Sequence, residues 1–234
     1  MKFRVLTWNM AHRVRMKKRA WSFLRYEVAP DIALVQEAHP PDSLGEGEQF
    51  VYPETVEIGG KIGASGIWSR GLPIRRVGIR TALPDALIAA AVVLPKWETS
   101  LHVISMYGTF DQTSHVTPNL HSMISNLHPL LSGKGSRGRI IIGGDWNIDP
   151  KYNENYPRSG ALHRLVLERL EDPYYDLQKC NKESLRTFIR GSYQDDYIYA
   201  SKGLIAKLIS CEAVKHAELE RLSDHLPVVA TFEF

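Results

Sequence analysis

The sequence predicts an α/β fold in which two packed β-sheets carry helices on their outer faces. Apolar segments of strand length outnumber helical segments along the 234 residues, and they occur partly as close neighbours and partly separated by helices. A mixture of this kind is typical of two sheets that share one core. The composition, 44% hydrophobic and 24% charged, is that of an ordinary globular protein. A chain of this length can bury a full core as one unit, so we expect a single domain over residues 1–234.

The first half of the chain is predicted to begin with a strand, a helix and a second strand. Residues 3–9 are an apolar strand, residues 13–28 repeat apolar side chains at a helical period, and residues 31–37 are apolar again. Pro30 is expected to end the helix, and residues 39–50 are predicted as a loop. The other strands predicted in this half lie within residues 59–70, 75–83, 86–95 and 101–108.

The second half is predicted to contain two helices among further strands. Thr117 is expected to be the N-cap, and Pro118 the first residue, of a helix that runs to about Leu131. Residues 139–147 are then predicted as a strand and residues 159–171 as a helix. The remaining predicted strands are 172–178, 185–191, 195–201 and 204–214, followed by a loop at 223–225 and a terminal strand.

Charge and cysteine content narrow the classes of function. The net charge of +3 and the isoelectric point of about 8.8 permit a polyanionic ligand without requiring one. Cys180 and Cys211 form no C-x-x-C motif, so we expect reduced structural thiols, as in a cytosolic protein.

No targeting or membrane segment is predicted. The N-terminal apolar run is interrupted by Arg4 and Asn9, which is not typical of a signal peptide. No segment approaches the roughly 18 apolar residues that a membrane helix needs. We therefore expect a cytoplasmic protein with no membrane partner, and we expect a monomer.

Polar side chains follow several of the predicted strands. Oxygen-bearing side chains and one imidazole occupy these strand ends: Asn9, Glu37, Asp145, Asn147, Asp224 and His225. Carboxylate and amide oxygens are the ligands that Mg²⁺ or Mn²⁺ prefers, and a histidine beside an aspartate can orient or activate water. The set favours metal-assisted attack on a phosphoester. Each residue also has a structural explanation, such as a turn or a strand-end charge, but the whole set would require several coincidences.

The order of short motifs along the chain gives a family resemblance. These motifs are TWN (7–9), VQE (35–37), GASGIWSR (63–70), a strand ending in Tyr107, GGDWN (143–147), DDYIYAS (195–201) and SDHLPV (223–228). The chain thereby resembles the endonuclease/exonuclease/phosphatase superfamily over nearly its whole length, and GDWN followed by SDH is the most specific part. The resemblance implies a four-layer α/β sandwich of the DNase I-like type and a Mg²⁺-dependent phosphoesterase.

The resemblance also implies a role for each matching residue. The implied metal ligands are Asn9, Glu37 and Asp224. The implied catalytic residues are Asp145, which positions or deprotonates the attacking water, Asn147 and Tyr107, which hold the phosphate, His225, which contacts the scissile phosphate, and Asp196, which pairs with His225. Asp195 is the alternative to Asp196 in that pairing. The implied cofactor is Mg²⁺, for which Mn²⁺ is expected to substitute.

Two departures from the family pattern leave the substrate open. Ala11 stands where members often carry an acidic residue, so the number of metal ligands is not predicted. After Tyr107 the chain lacks the Asn and the Arg-bearing loop of the AP endonucleases, so abasic-site specificity is not predicted. His115 and Asn119 occur in that loop without matching the pattern.

A basic segment after Asn9 favours a nucleic acid as substrate. Arg13, Arg15, Lys17 and Lys18 follow the first strand at the edge that should carry the site, and they could line a path for a phosphate backbone. The alternative is a solvated helix start. The prediction is a nuclease that cleaves by in-line attack of water. The alternatives are a phosphomonoesterase, a lipid or inositol phosphoesterase on the same fold, and a catalytically inactive binding module.

Overall fold

The computed structural model describes residues 1–53, 64–95, 100–133, 139–152, 157–181, 185–191 and 193–234. Its strands, numbered along the chain, form two mixed sheets of six strands each. The first sheet consists of β1 (Lys2–Asn9), β2 (Ile32–Gln36), β3 (Gln49–Val51), β4 (Gly66–Ser69), β11 (Leu208–Ala213) and β12 (Val228–Glu233). Its order is β11-β12-β1-β2-β4-β3, in which only β1 and β2 are parallel neighbours.

The second sheet has a similar plan. It consists of β5 (Ile74–Val77), β6 (Leu87–Val92), β7 (Leu101–Met106), β8 (Ile140–Asp145), β9 (Leu177–Lys179) and β10 (Asp196–Ser201). Its order is β5-β6-β7-β8-β10-β9, with β7 and β8 parallel. In each sheet the parallel pair is central. One strand of each pair ends in a residue that the sequence predicts as part of the site, Asn9 in β1 and Asp145 in β8.

Most of the helices cover the outer faces of the two sheets, whereas the short helix at Lys202–Ile205 adds Leu204 to the core between them. α1 (Lys17–Ser22) follows a 3₁₀ turn at Val14–Met16 and continues as a π-helical segment, Phe23–Val28. The remaining helices are α2 (Thr117–Ser132), α3 (Pro157–Leu170), α4 (Lys202–Ile205) and α5 (Leu219–Leu222).

Alternation along the strands explains the four layers. Val5 of β1 packs between the sheets with Leu34 and Ile141, whereas the adjacent Leu6 packs on the opposite face with Leu24 of the π-helical segment. Successive strand residues point to opposite faces, so one apolar strand supplies two cores. A third core joins the outer face of the second sheet to α2 and α3. The predicted four-layer α/β sandwich is confirmed.

The first helix ends at Val28, as predicted, and Ala29 follows as its C-cap in a left-handed conformation (φ 51°) before Pro30. Other predicted elements need correction. Thr117 is the first residue of α2 rather than its N-cap, because Val116 occupies the cap and makes no side-chain cap bond. Within residues 39–50, predicted as a loop, β3 begins at Gln49 and pairs with β4.

Four predicted strands are shorter than expected or absent, because a strand persists only where a neighbouring backbone pairs with it. Within 75–83 only β5 pairs, and it ends at Val77. Within 172–178 only Leu177 and Gln178 belong to a strand, β9. The preceding residues form a turn instead, in which the side chain of Asp172 accepts a hydrogen bond from the N–H of Tyr174. Segment 185–191 has one isolated bridge, Phe188 to His225. Segment 204–214 begins in α4, and pairing with β12 starts at Leu208.

In the part of the chain that the structure describes, no helix is both long enough and apolar enough to span a membrane. Cys180 and Cys211 are buried free thiols, as the sequence predicts. Burial raises the pKa of both thiols, which agrees with unreactive core residues.

Candidate active site

The site forms where the central strands of both sheets end at the same edge of the sandwich. Asn9 at the end of β1 lies beside Gln36 at the end of β2, and Asp145 at the end of β8 lies beside Asp196 at the start of β10. Because β1 packs against β8 across the sheet interface, side chains from the two sheets meet.

Asn9 connects the two sheets through its amide. Its Nδ2 donates to Oδ2 of Asp145 at 2.7 Å and to Oε1 of Glu37 at 3.2 Å. Its Oδ1 accepts the backbone N–H of Ala11 at 2.8 Å. The Tyr107 hydroxyl donates to the same Oε1 of Glu37 at 2.7 Å. Burial, followed by the charge of Glu37, raises the pKa of Tyr107, so its phenol keeps its proton.

His225 forms a buried pair with Asp196. Its Nδ1 lies 2.9 Å from Oδ2 of Asp196, and its Nε2 lies 3.8 Å from Oδ2 of Asp145. Burial alone would lower the pKa of His225, but the charges of Asp196 and Asp145 and the hydrogen bond to Asp196 outweigh it and raise the pKa to about 10. The imidazole is therefore a cation at neutral pH.

Local backbone contacts set the position of His225. Its N–H donates to Oγ of Ser223, which in turn donates to the backbone oxygen of Asn9 at 2.7 Å. Its carbonyl accepts the indole N–H of Trp8. The loop before β12 is thereby fixed to the end of β1, although the two lie at opposite ends of the chain.

Asp145 and Asn147 face the same space. Asn147 N–H donates to Oδ1 of Asp145 at 3.0 Å, and its side-chain amide donates to the carbonyl of Gly108. Asn147 has a φ of 52°, which asparagine tolerates better than most residues. Burial raises the pKa of Asp145 to about 7, against the opposing effect of His225. A carboxylate with such a pKa suits proton transfer near neutral pH.

Asp196, rather than its neighbour, contacts His225. Asp195 is also buried, and its Oδ1 has no hydrogen-bond partner among the described residues. Burial and the nearby charges of Asp145 and Asp196 raise the pKa of Asp195 to about 8. The side chain therefore favours its neutral form at pH 7.

Two groups of side chains in the site have the donor chemistry for a divalent cation. The first contains Glu37 and its neighbour Asn9. In the second, one oxygen each of Asp145 and Asp196 and one nitrogen of His225 lie within 4.8 Å of one another, and the two carboxylates are the donors because His225 is protonated. Oδ1 of Asp196 is a buried oxygen with no hydrogen-bond partner among the described residues, so it retains a lone pair for such an ion. The carboxylate-rich set fits a hard cation.

One predicted ligand, Asp224, has contacts outside these two groups. The carboxylate of Asp224 lies 3.7 Å from Nε of Arg190, and its backbone oxygen accepts the N–H of Ile189. Asp224 is not among the three residues of the buried group, and its role as a ligand stays a prediction.

The basic segment begins at the site, but the protein's own acceptors hold part of it. Arg13 donates to the carbonyls of Glu220 and Arg221. Lys17 pairs with Asp42, and Nζ of Lys18 lies 3.8 Å from the same carboxylate. Arg15 is exposed. The role of this segment in substrate binding stays a prediction.

The three tryptophans of the motifs are core residues. Trp8, Trp68 and Trp146 are all fully buried, so none of them is available to stack on a base. Trp146 stacks on Tyr197 at a centroid distance of 5.0 Å.

His12 contacts the site in a way that the sequence reasoning does not predict. His12 immediately precedes the basic segment in the sequence, and its Nε2 lies 3.2 Å from Oε2 of Glu37. Ser223 and Thr187 also support the site, because Thr187 Oγ1 accepts the N–H groups of Asp195 and Asp196. The sequence signal for Ser223 is its place in SDH; Thr187 has no comparable signal.

Comparison with known proteins gives one family and a set of similar folds. The Endonuclease/Exonuclease/phosphatase family profile matches residues 6–225. No curated protein matches the chain in sequence.

Three proteins of known structure are similar over nearly the whole chain. The endonuclease domain of TRAS1, a telomere-specific non-LTR retrotransposon, has 17% identity and a TM-score of 0.72, covering 99% of both chains. The AP endonuclease LMAP from Leishmania major has 16% identity and a TM-score of 0.71, covering 100% of this chain and 88% of its own. The 3′-5′ exonuclease NExo from Neisseria meningitidis has 19% identity and a TM-score of 0.71, covering 99% and 100%.

A further structure of NExo is described as a 3′ phosphatase bound to a product DNA hairpin, with 23% identity and a TM-score of 0.69, covering 99% of this chain and 100% of its own. At these identities the likeness shows the fold.

Proposed function

Because the chain belongs to the Endonuclease/Exonuclease/phosphatase family, we propose that it is a Mg²⁺-dependent phosphodiesterase that hydrolyses nucleic acid. Membership of the family supports a phosphoesterase in general. The choice of nucleic acid draws support from the similar folds, whose descriptions name endonucleases and an exonuclease, and from the basic segment beside the site.

A phosphodiester is an anion and repels hydroxide, so the site must neutralise charge before water attacks. Glu37 and Asn9 would hold the metal, which when bound polarises the phosphoryl oxygens. The protonated His225 supplies a second positive charge next to the same space. Asp196 keeps that charge in place, because its carboxylate accepts the bond from Nδ1.

Asp145 is the proposed base. Its carboxylate lies between the Asn9 amide and the His225 imidazole. A water that hydrogen-bonds to Asp145 would therefore lie among these side chains. Asn147 and Tyr107 would donate to the phosphate oxygens as the negative charge of these oxygens increases, with Tyr107 exchanging its bond to Glu37 for one to the phosphate. Donors fixed in this way before reaction typically contribute about 10²–10³ in rate each.

One observation carries the proposal. Asp145 ends a strand of the second sheet and His225 lies in the loop before a strand of the first, yet they lie together in a buried cluster with Asp196. Asn9 connects this cluster to Glu37 and Tyr107. An exposed set of turn residues would have neither the burial nor the shared contacts.

The test is cleavage by the purified chain with Mg²⁺ and with EDTA. The substrates are plasmid, single-stranded DNA, RNA, abasic duplex and an inositol phosphate. We expect cleavage of a nucleic acid that requires the metal, and a loss of about 10³-fold or more in Asp145→Asn and in His225→Asn. Glu168→Gln, which removes an exposed carboxylate on α3, is the matched control and should cleave normally. Wild-type rates in Asp145→Asn would refute the proposed role of Asp145. No cleavage of any substrate would refute the proposed function and favour an inactive binding module.

A DNA 3′-phosphatase is the second candidate. It is favoured by the NExo structure described as a 3′ phosphatase with a DNA hairpin. A hairpin with a 3′-terminal phosphate belongs in the same panel. Release of inorganic phosphate without cleavage of the chain would select this candidate.

A further inference from the structure

The contact between His12 and Glu37 lies at the position where the sequence departs from the family pattern. Ala11 offers no side-chain oxygen to the site. The Asn9 oxygen accepts the N–H of Ala11. Oε1 of Glu37 accepts bonds from Tyr107 and Asn9. The other oxygen, Oε2, faces the imidazole of His12.

The backbone directs this imidazole back toward the end of β2. Ala11 and His12 have φ values of 54° and 49°, and Glu37 has 49°. Residues other than glycine uncommonly adopt this conformation, although Asn, Asp and His adopt it more often than the others. The turn is held by the N–H of His12, which donates to the carbonyl of Glu37 at 3.1 Å, and by the N–H of Met10, which donates to that of Gln36 at 2.8 Å. Both the backbone and the side chain of His12 therefore contact Glu37.

The separation of the two side chains suits a shared cation. Nε2 of His12 lies 3.2 Å from Oε2 of Glu37. Adjacent ligands of an octahedral ion at about 2.1 Å are about 3.0 Å apart. The side chains are 26% and 20% exposed, so an ion and its waters can reach them. A neutral imidazole commonly binds metals through Nε2.

We infer that His12 is a metal ligand, which together with Glu37 forms a mixed nitrogen and oxygen site in place of the all-oxygen site implied by the resemblance. The inference rests on the proposed metal-dependent function and specifies its cofactor. Imidazole nitrogen favours transition-metal ions more than it favours Mg²⁺. The site should accordingly hold Mn²⁺ more tightly than Mg²⁺, and His12 should account for the difference.

The test is electron paramagnetic resonance of Mn²⁺ bound to the purified chain, which needs no substrate. A coordinated imidazole produces ¹⁴N modulation of the electron spin echo, whereas oxygen ligands do not. His12→Asn is the variant of choice, because asparagine tolerates the left-handed backbone at this position. His39→Ala is the control, since the His39 ring lies against that of His12 at a centroid distance of 6.0 Å.

We expect ¹⁴N modulation in the wild type and in His39→Ala, and its loss in His12→Asn. The Kd for Mn²⁺ should rise about tenfold or more in His12→Asn, and the Kd for Mg²⁺ should rise less. Modulation that persists in His12→Asn, modulation that is absent from the wild type, or failure of Mn²⁺ to bind would each overturn the inference.

The outcome is separable from that of the proposed function. Cleavage of nucleic acid without ¹⁴N modulation would leave the proposed function in place and overturn the ligand. Modulation that depends on His12, without cleavage of any substrate in the panel, would establish the ligand and overturn the proposed nuclease.

Discussion

At the scale of single residues, charge on the His225 imidazole depends on Asp196. The two side chains are buried and 2.9 Å apart. Burial opposes the protonated form, and the carboxylate of Asp196 is the largest of the effects that favour it. The pair is therefore a case in which one buried charge is stable only because the other is present.

Asp196→Asn should lower the pKa of His225 from about 10. A protonated His225 is needed for turnover, so activity is lost as the pH rises through this pKa. The alkaline limit of kcat should therefore move to lower pH in the variant, and kcat at neutral pH should fall about 10²-fold. A pH profile of kcat measures both effects. An unchanged alkaline limit would show that Asp196 does not hold the proton on His225.

Urea unfolding and steady-state kinetics together separate this positioning role from a loss of fold. Urea unfolding of Asp196→Asn should show a cooperative transition, and KM should change less than kcat. If kcat and KM changed together with no shift of the pH profile, the role of Asp196 would be structural.

At the scale of elements, the close approach of β7 to β8 determines where the site residues lie. A Cβ on Gly144 would come within 1.7 Å of the Met106 carbonyl oxygen, and a Cβ on Gly108 within 2.1 Å of that of Trp146. Gly144 of GGDWN and Gly108 after β7 therefore allow the two backbones to approach closely. They bring the end of β8, with Asp145 and Asn147, against the end of β7, with Tyr107.

Gly144→Ala should destabilise the protein by about 3 kcal/mol, because backbone atoms cannot move away from the added methyl group as a flexible side chain could. The free energy of unfolding in urea is the measurement. Gly78→Ala is the matched control, since a Cβ there would meet no atom within 4 Å, and it should change stability by less than about 0.5 kcal/mol. Equal stability of the two variants would contradict the close approach.

At the scale of the whole molecule, the exposed basic residues are distributed over more than one face. Arg15 lies in the 3₁₀ turn and Lys18 in α1, both in the segment that follows Asn9 of the site. Arg75 and Arg76 are exposed on β5, the edge strand of the second sheet. Net charge alone cannot say which of these faces contacts a polyanion.

Neutralising Arg15 and Lys18 together as glutamines should weaken binding of single-stranded DNA and make it less sensitive to salt. Each lost phosphate contact reduces the slope of log K against log salt concentration by about 0.7. Arg75→Gln with Arg76→Gln is the control, with the same change in net charge at the far edge of a sheet. Binding would be measured by fluorescence anisotropy in EDTA with a labelled oligonucleotide. A slope that changes equally in both double variants would argue against a nucleic-acid path along the basic segment.

Much of the fold and of the candidate site could be predicted from the sequence. The apolar segments of β1, β2, β6, β7, β8, β10 and β12 predicted their strands, because burial on both faces requires an uninterrupted apolar run. The motifs predicted most members of the site, since polar residues that end such strands must lie at an edge of the sheets. The family match over residues 6–225 confirms the resemblance that those motifs indicated.

Tertiary structure decided the rest. Segments 185–191 and 204–208 have strand-like composition, but pairing depends on a neighbouring backbone, which sequence periodicity does not reveal. The sequence left open whether Asp195 or Asp196 contacts His225. Successive side chains point to opposite faces, and the pairing of β10 with β8 directs the carboxylate of Asp196 to His225. The contact of His12 with Glu37 required two left-handed residues that no local pattern predicts. Local sequence thus determined which segments are buried and which polar side chains follow them. The distances between side chains that are remote in the sequence depended on how the two sheets pack.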